Sequence, residues 1–246
     1  MTKPAAVRRT GGELASTRRP LLALARAAAA ILLLCPFAFV CLASVLPEQS
    51  LFGGAKPGGS AGLFHYRELF RARGFATPLR NSLYVAGGTT ALCVGLGALA
   101  AYALARLEFR GKRGVFGLLL AVSAFPQISV VEPLYALLRE LGLINTYPGL
   151  VLAYVTFTLP ISVLLLVSFF RELPREVEQA ARMDGATSLQ VLWHVILPLS
   201  VPGLVATGII SFVYCWNEFL FALSFTVGGE RQTLPVAIAM LRGRHQ

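Results

Sequence analysis

Apolar positions along the chain are gathered into long runs, and short polar segments separate them. A helix needs about 20 mostly apolar residues to cross the hydrocarbon core of a bilayer, which is about 30 Å thick. Five runs reach that length: 21–46, 83–104, 115–138, 149–170 and 201–227. The pattern predicts an all-α polytopic membrane protein, in which a short tail (1–20) precedes a transmembrane domain (21–246).

Composition and charge agree with contact to membrane lipid. The 246 residues are 56% hydrophobic and only 14% charged, and the net charge is +10. Such a positive charge could serve nucleic-acid binding, but here the basic residues stand beside the apolar runs, in the tail 1–20 and in the link 106–113. Short loops rich in Lys and Arg stay in the cytoplasm. We therefore predict a membrane protein with a cytoplasmic N-terminus and no nucleic-acid partner, although basic residues in 47–80 weaken this bias.

Motifs that would carry catalysis are missing or out of place. The stretch 95–100 fits the glycine pattern of dinucleotide-binding turns, but it lies in the middle of an apolar run. The phosphate-binding pattern G-x-x-x-x-G-K-[ST] does not occur, and His65, His194 and His245 are too scattered to suggest a metal site. The sequence predicts no catalytic residue, no metal and no cofactor, so a membrane enzyme is the weakest alternative.

Prolines interrupt two of the apolar runs. Pro126 and Pro133 lie in the third run and Pro160 in the fourth. Each removes a backbone donor and loosens a helical turn, so we expect bends at these positions. Such breaks occur in bundles that enclose a cavity, and they also occur as simple packing features.

A polar segment between the fourth and fifth runs has the signals of two helices joined by a sharp turn. Pro174 suits the first position of a helix, and Gly185 suits the left-handed position that ends one. Thr187 and Gln190 have the spacing of a capping box, which predicts a second helix over 188–196. This segment, 171–200, is called the coupling loop below. An amphipathic loop lying on lipid headgroups is the alternative interpretation.

Small side chains share one face of the first predicted helix in the coupling loop. They follow the spacing i, i+3, i+4, i+7 at Val177, Ala180, Ala181 and Asp184. A narrow face of this kind can enter a groove on another protein. Because the second helix runs through Leu197 and Pro198 into the fifth apolar run, a force on the loop would move a membrane helix.

The coupling loop resembles a known motif. QAARMDG followed by VILP is similar to the E-A-A-x-x-x-G loop of bacterial ABC importer permeases. The stretches RNSLYVAGGTTAL, LYALLRELGLINTYPGLVLAY and WNEFLFAL resemble the carbohydrate branch, namely the maltose-type second permease subunit. The resemblance implies a type I-like importer helix bundle whose ATPase-coupling residues are Glu178, Gln179, Ala180, Ala181, Asp184, Gly185, Leu197 and Pro198.

Partners also follow from this resemblance. It implies a separate ABC ATPase subunit, a second permease subunit and an extracytoplasmic sugar-binding protein, with ATP hydrolysed on the partner chain. The chain departs from the family in two places. Gln179 stands where the motif has glutamate, and 233–241 is too short to be the sixth membrane helix that the family has. A truncated, non-transporting membrane protein with an assembly or regulatory role is therefore the second hypothesis.

Polar side chains form stripes on the fourth and fifth apolar runs. Because buried polar groups are costly in hydrocarbon, such stripes face other helices or a wet cavity. We predict a translocation pathway lined by Tyr154, Thr158, Ser162, Ser211, Tyr214, Asn217 and Glu218. Hydrogen bonding between helices is the alternative for each single residue. The pattern does not indicate which sugar is carried.

Overall fold

The structure, a computed structural model, describes residues 11–46, 66–67, 69–70 and 74–243. The chain divides into two units, Met1–Arg73 and Gly74–Gln246. In the first unit, helix α1 spans Gly11–Val45, and its stretch Arg26–Val45 is apolar and long enough to cross a membrane. The predicted tail 1–20 is therefore helical from Gly11 onward, and its first ten residues lie outside the described part.

Every regular element in the described residues of the second unit is helical, which confirms the predicted all-α class. The helices are α2 (Ala76–Arg106), α3 (Lys112–Ser123), α4 (Ile128–Glu140), α5 (Tyr147–Glu172), α6 (Arg175–Met183), α7 (Ser188–Leu199), α8 (Val201–Asn217), α9 (Leu220–Phe225) and α10 (Leu234–Gly243). Like α1, the helices α2 and α5 are long and apolar enough to cross a bilayer alone.

Two predicted spans differ from single straight helices. The third is broken near Pro126, where α3 and α4 meet at 100°. The fifth ends at Asn217, because Glu218 leaves the helical conformation and its carboxylate accepts hydrogen bonds from the next helix, from the Phe221 amide at 2.8 Å and the Ala222 amide at 3.2 Å. Helices continue through Pro133 and Pro160, so those prolines end no element.

The core of the second unit lies along the contact between α2 and α5, which pack together over much of their length. One apolar cluster joins their N-terminal halves to α8, α9 and α10 through buried groups such as Phe157 and Phe221. The other joins their opposite halves to the coupling loop through Leu166, Phe170 and Ile196. The coupling loop is thus anchored by the same two helices that form the centre of the bundle.

A buried asparagine joins three segments near the N-terminal end of α2. Asn81 on α2 is fully buried, and its amide nitrogen donates to the carbonyls of Glu230 and Gln232, each at 2.9 Å. Its amide oxygen accepts a hydrogen bond from the Tyr147 hydroxyl at 2.7 Å. All three hydrogen bonds join residues distant in sequence, so Asn81 holds the segment before α10 against α2 and α5.

Replacing Asn81 with alanine is expected to lower the free energy of unfolding by about 2–4 kcal/mol, because it leaves two carbonyls and a hydroxyl without partners. Thermal unfolding of the purified protein in detergent measures the change. Asn217→Ala is the matched control, because its exposed side chain makes one local hydrogen bond to the Val213 carbonyl. Equal stabilities of the two variants would contradict the anchoring role.

Candidate functional site

The first half of the coupling loop is a short helix closed by a glycine turn. Helix α6 ends at Met183, and Gly185 follows with φ of 88°, a left-handed conformation that favours glycine. The Gly185 amide donates to the Arg182 carbonyl and the Ala186 amide to the Ala181 carbonyl, each at 3.0 Å. These two hydrogen bonds form a Schellman motif. The predicted role of Gly185 in ending this helix is confirmed.

The second half of the coupling loop begins with the predicted capping box. The Thr187 hydroxyl accepts a hydrogen bond from the Gln190 amide, and the Gln190 side chain accepts one from the Thr187 amide at 2.8 Å. Helix α7 then includes one turn of π-helix, Leu192–Ile196, before it reaches Ser200. There α8 turns away by 79°. The loop thus forms an elbow of two helices, α6 and α7, and α7 leads directly into the membrane helix α8.

A buried carboxylate joins this elbow to the C-terminal end of α2. Glu178 is only 7% exposed. One of its oxygens accepts hydrogen bonds from the Tyr102 hydroxyl at 3.2 Å and from an Arg182 Nη2 at 2.7 Å, and the other lies 3.6 Å from Arg106 Nε. Arg106 Nη2 also donates to the Leu173 carbonyl at 2.7 Å. Glu178 therefore connects α6, α2 and the end of α5.

Hydrogen bonds favour the charged form of Arg182. The Tyr102 hydroxyl and the Glu178 carboxylate raise the pKa of the Arg182 guanidinium above its ordinary value. Arg182 is therefore a cation at any physiological pH.

The other predicted coupling residues divide into an exposed and an inward group. Most are exposed, and they are Gln179, Ala180, Asp184, Gly185 and Pro198. Ala181 and Leu197 are half-buried and pack against the apolar cluster that contains Leu166, Phe170 and Ile196. Beside the exposed group, the Met183 side chain is 88% exposed, which is the largest exposure of a bulky apolar side chain among the described residues. The exposed face suits contact with another protein, and its role in coupling stays a prediction.

Residues of the predicted pathway are found in two different settings. Thr158, Ser162 and Ser211 are buried between α5 and α8, and Tyr154 is buried on α5 with its ring centroid 6.5 Å from that of Phe221 on α9. The hydroxyls of Ser162 and Ser211 lie 2.9 Å apart, and the Thr158 hydroxyl lies 3.4 Å from Cys215 Sγ. These contacts match the alternative of hydrogen bonding between helices.

The remaining predicted pathway residues line a cavity of about 490 Å³. Tyr214, Asn217 and Glu218 are joined there by Gln127, whose amide nitrogen donates to the Tyr214 hydroxyl at 2.9 Å. The volume is within the range of small-molecule sites, about 300–1,000 Å³. The position of the cavity, where α3 gives way to α4 and α8 to α9, puts polar groups beside broken helices.

Sequence reasoning missed four residues that shape these sites: Gln127, Asn81, Tyr102 and Arg106. Gln127 could have been found, because it follows Pro126 inside an apolar run and a break there exposes polar groups. Asn81, Tyr102 and Arg106 gave no comparable signal, since their partners lie 66 to 151 residues away along the chain.

Residues 94–241 match the family described as "Binding-protein-dependent transport system inner membrane component". The chain is 44% identical over 213 residues to the trehalose transport system permease protein SugB of Mycobacterium tuberculosis, covering 87% of this chain and 78% of that protein. It is 36% identical over 230 residues to the trehalose/maltose transport system permease protein MalG of Thermococcus litoralis, covering 93% and 83%. These similarities confirm the resemblance inferred from the coupling loop.

Solved structures agree on the fold. A bacterial ABC transporter involved in the import of the acidic polysaccharide alginate has a chain that superposes with a TM-score of 0.72 at 21% identity, covering 97% of this chain and 82% of that one. A second structure of an alginate transporter, in complex with a periplasmic protein carrying an alginate pentasaccharide, gives a TM-score of 0.65. The chain is therefore a multi-pass inner-membrane protein that belongs to the family of binding-protein-dependent transport system inner membrane components.

Proposed function

We propose that this chain is the permease subunit of a bacterial ABC importer for sugars. In this role it forms part of the translocation pathway together with a second permease subunit, and a separate ABC ATPase subunit drives it. An extracytoplasmic binding protein delivers the sugar. The relatives named above are permeases for trehalose and maltose, which supports a carbohydrate substrate.

The observation that carries this proposal is the construction of the coupling loop. Its two helices meet at a glycine turn, one of them continues into α8 at 79°, and the other is fastened to α2 by Glu178. A partner that moves this elbow therefore acts on two helices of the bundle at once. The elbow holds no catalytic group. In this proposal, ATP hydrolysed on the partner supplies the energy that moves it.

The same contacts support a proposed orientation of the chain in the membrane. Arg106 begins the basic link 106–113 and lies against the coupling loop, so both segments belong to one side of the membrane. We assign that side to the cytoplasm, because short basic loops are retained there. The N-terminus is assigned to the same side on the basic residues of the tail.

The cavity beside Tyr214, Asn217 and Glu218 is the proposed sugar-facing part of the pathway. Its carboxylate, amide and phenol can exchange hydrogen bonds with sugar hydroxyls. Thr158, Ser162 and Ser211 do not line this cavity, and they support it by holding α5 against α8, the helix that carries Tyr214.

Replacing Gly185 with valine is expected to abolish coupling while the subunit still inserts. A β-branched residue at φ of 88° is strained by about 1–2 kcal/mol or more and distorts the glycine turn, so sugar uptake falls at least about tenfold. Uptake is measured in vesicles reconstituted with the ATPase, the second permease and the binding protein.

Gly228→Val is the matched control, because Gly228 has φ of 78° and, as at Gly185, a Cβ there would meet no atom within 4 Å. It lies between α9 and α10, outside the coupling loop. Normal uptake by the Gly185 variant would contradict the docking role of the loop. Failure of the unmodified subunit to transport in the complete assembly would favour the non-transporting alternative.

A further inference from the structure

A small cavity lined by arginines lies between α6 and the cytoplasmic end of α2. Its volume is about 190 Å³. Its lining residues are Arg106, Arg175, Glu178, Gln179 and Arg182. The mechanical link made by Glu178 does not account for this concentration of positive charge, and the term arginine cavity is used for it below.

Charges in the arginine cavity do not balance. It contains three guanidinium groups and one carboxylate, and that carboxylate is already engaged by Arg182 and Arg106. The Arg106 side chain is only 3% exposed, yet its Nε has no hydrogen-bond acceptor. A buried donor of a charged group without an acceptor is costly. The cavity is therefore short of negative charge and of at least one acceptor.

Arg175 and Gln179 form the open rim of the arginine cavity. Both side chains are exposed and lie one turn apart on α6. Arg175 takes part in no salt bridge with any described residue. Gln179 carries no charge, but its amide can donate a hydrogen bond. The rim thus offers a free guanidinium and a neutral amide to an incoming group.

We propose that the arginine cavity receives a carboxylate side chain, Asp or Glu, from the ATPase subunit. This inference rests on the proposed function, which supplies that partner. Guanidinium groups bind carboxylates through paired, charge-assisted hydrogen bonds, and the cavity is large enough for one short acidic side chain. The exposed apolar side chain of Met183, one turn after Gln179 on the same helix, would shield the ion pair from water when the partner docks.

The proposal explains why glutamine suits position 179. A glutamate there would place a second carboxylate of this chain beside the arginines and would repel the partner's acidic group. The opposite arrangement would be a glutamate at position 179 that meets a basic group of the ATPase. The two arrangements make opposite predictions for a single substitution.

Gln179→Glu is expected to lower ATPase co-purification and sugar uptake by about tenfold, since it adds a like charge to the docking site. Gln232→Glu is the control, because it adds the same charge in the segment before α10. Stronger co-purification of the ATPase with the Gln179 variant, or no change, would overturn the inference and leave the proposed function intact. Absence of any ATPase bound to the unmodified chain would overturn both.

A charge swap identifies the partner group. Arg175→Glu is expected to weaken ATPase binding, and a Lys in place of one acidic residue of the ATPase cleft is expected to restore it. Arg110→Glu is the control, because Arg110 is exposed in the link after α2 and does not line the cavity. If Arg175→Glu reduces binding to phosphatidylglycerol vesicles and leaves ATPase binding unchanged, the cavity holds a lipid headgroup and the inference is overturned.

Discussion

Replacing Glu178 with alanine is expected to disconnect the coupling loop from the bundle. The change leaves Arg106 nearly buried without its counter-ion and removes the acceptor of the Tyr102 hydroxyl. Removing one partner of a buried ion pair costs about 3–5 kcal/mol. We expect sugar uptake per ATP hydrolysed to fall to near background in reconstituted vesicles, because the ATPase would then move α6 without moving α2.

Two further variants separate the charge of Glu178 from its shape. Glu178→Gln keeps the side-chain volume and is expected to lose most of the uptake, because the amide carries no charge for Arg106 and Arg182. Glu176→Ala removes an exposed carboxylate from the same helical turn and is expected to change uptake little. Normal coupling in Glu178→Gln would show that the negative charge of Glu178 is not needed for coupling.

Replacing Gly149 with alanine is expected to be among the most destabilising single-atom additions in the chain. A Cβ at this position would collide with the Leu143 backbone carbonyl oxygen and would lie 3.2 Å from the Thr146 hydroxyl. Thr146 caps α5 by accepting a hydrogen bond from the Gly149 amide at 3.1 Å. Since a backbone atom cannot swing away as a side chain can, the start of α5 must shift.

We expect this collision to cost about 3 kcal/mol, the upper end of the usual range for overpacking. The thermal unfolding midpoint in detergent, followed by size-exclusion chromatography, measures the effect. Gly95→Ala is the control, because a Cβ there would meet no atom within 4 Å. Equal midpoints for the two variants would mean that the turn before α5 is softer than its contacts indicate.

The coupling loop could be predicted because its signals are local. Gly185 ends α6 and Thr187 with Gln190 starts α7, and each of these hydrogen bonds joins residues three to five positions apart. Turn chemistry of this kind depends on short sequence patterns. The five apolar runs were readable for a similar reason, since length and hydropathy are properties of a contiguous stretch.

Long-range contacts could not be predicted from the same patterns. Glu178 was predicted to be an ATPase-coupling residue, and nothing in its neighbourhood indicated a partner 76 residues earlier at Tyr102. Glu218 looked like one member of a polar stripe on a single helix. Its carboxylate instead accepts two backbone hydrogen bonds beyond a break, which an apolar run does not reveal.

Stripes of polar residues predicted burial better than they predicted what the residues face. Ser162 and Ser211 were both placed correctly on the inner sides of their helices, yet they contact each other. Only the knowledge of which helices are neighbours separates such a pair from Tyr214, which lines a cavity. Hydropathy predicts which face of a helix is buried, but it does not predict which helix packs against that face.

Because α8 meets α7 at a 79° bend near Ser200, a rotation about this point would displace the far end of α8 by a distance that its length sets. Its 17 residues span about 26 Å at a rise of about 1.5 Å each. If the elbow and α8 turn together by about 10° around this pivot, the opposite tip sweeps an arc of about 4–5 Å. Asn217 and Glu218 stand at that tip, so such a rotation of the elbow would move the polar lining of the cavity that they share with Tyr214 by about the same distance.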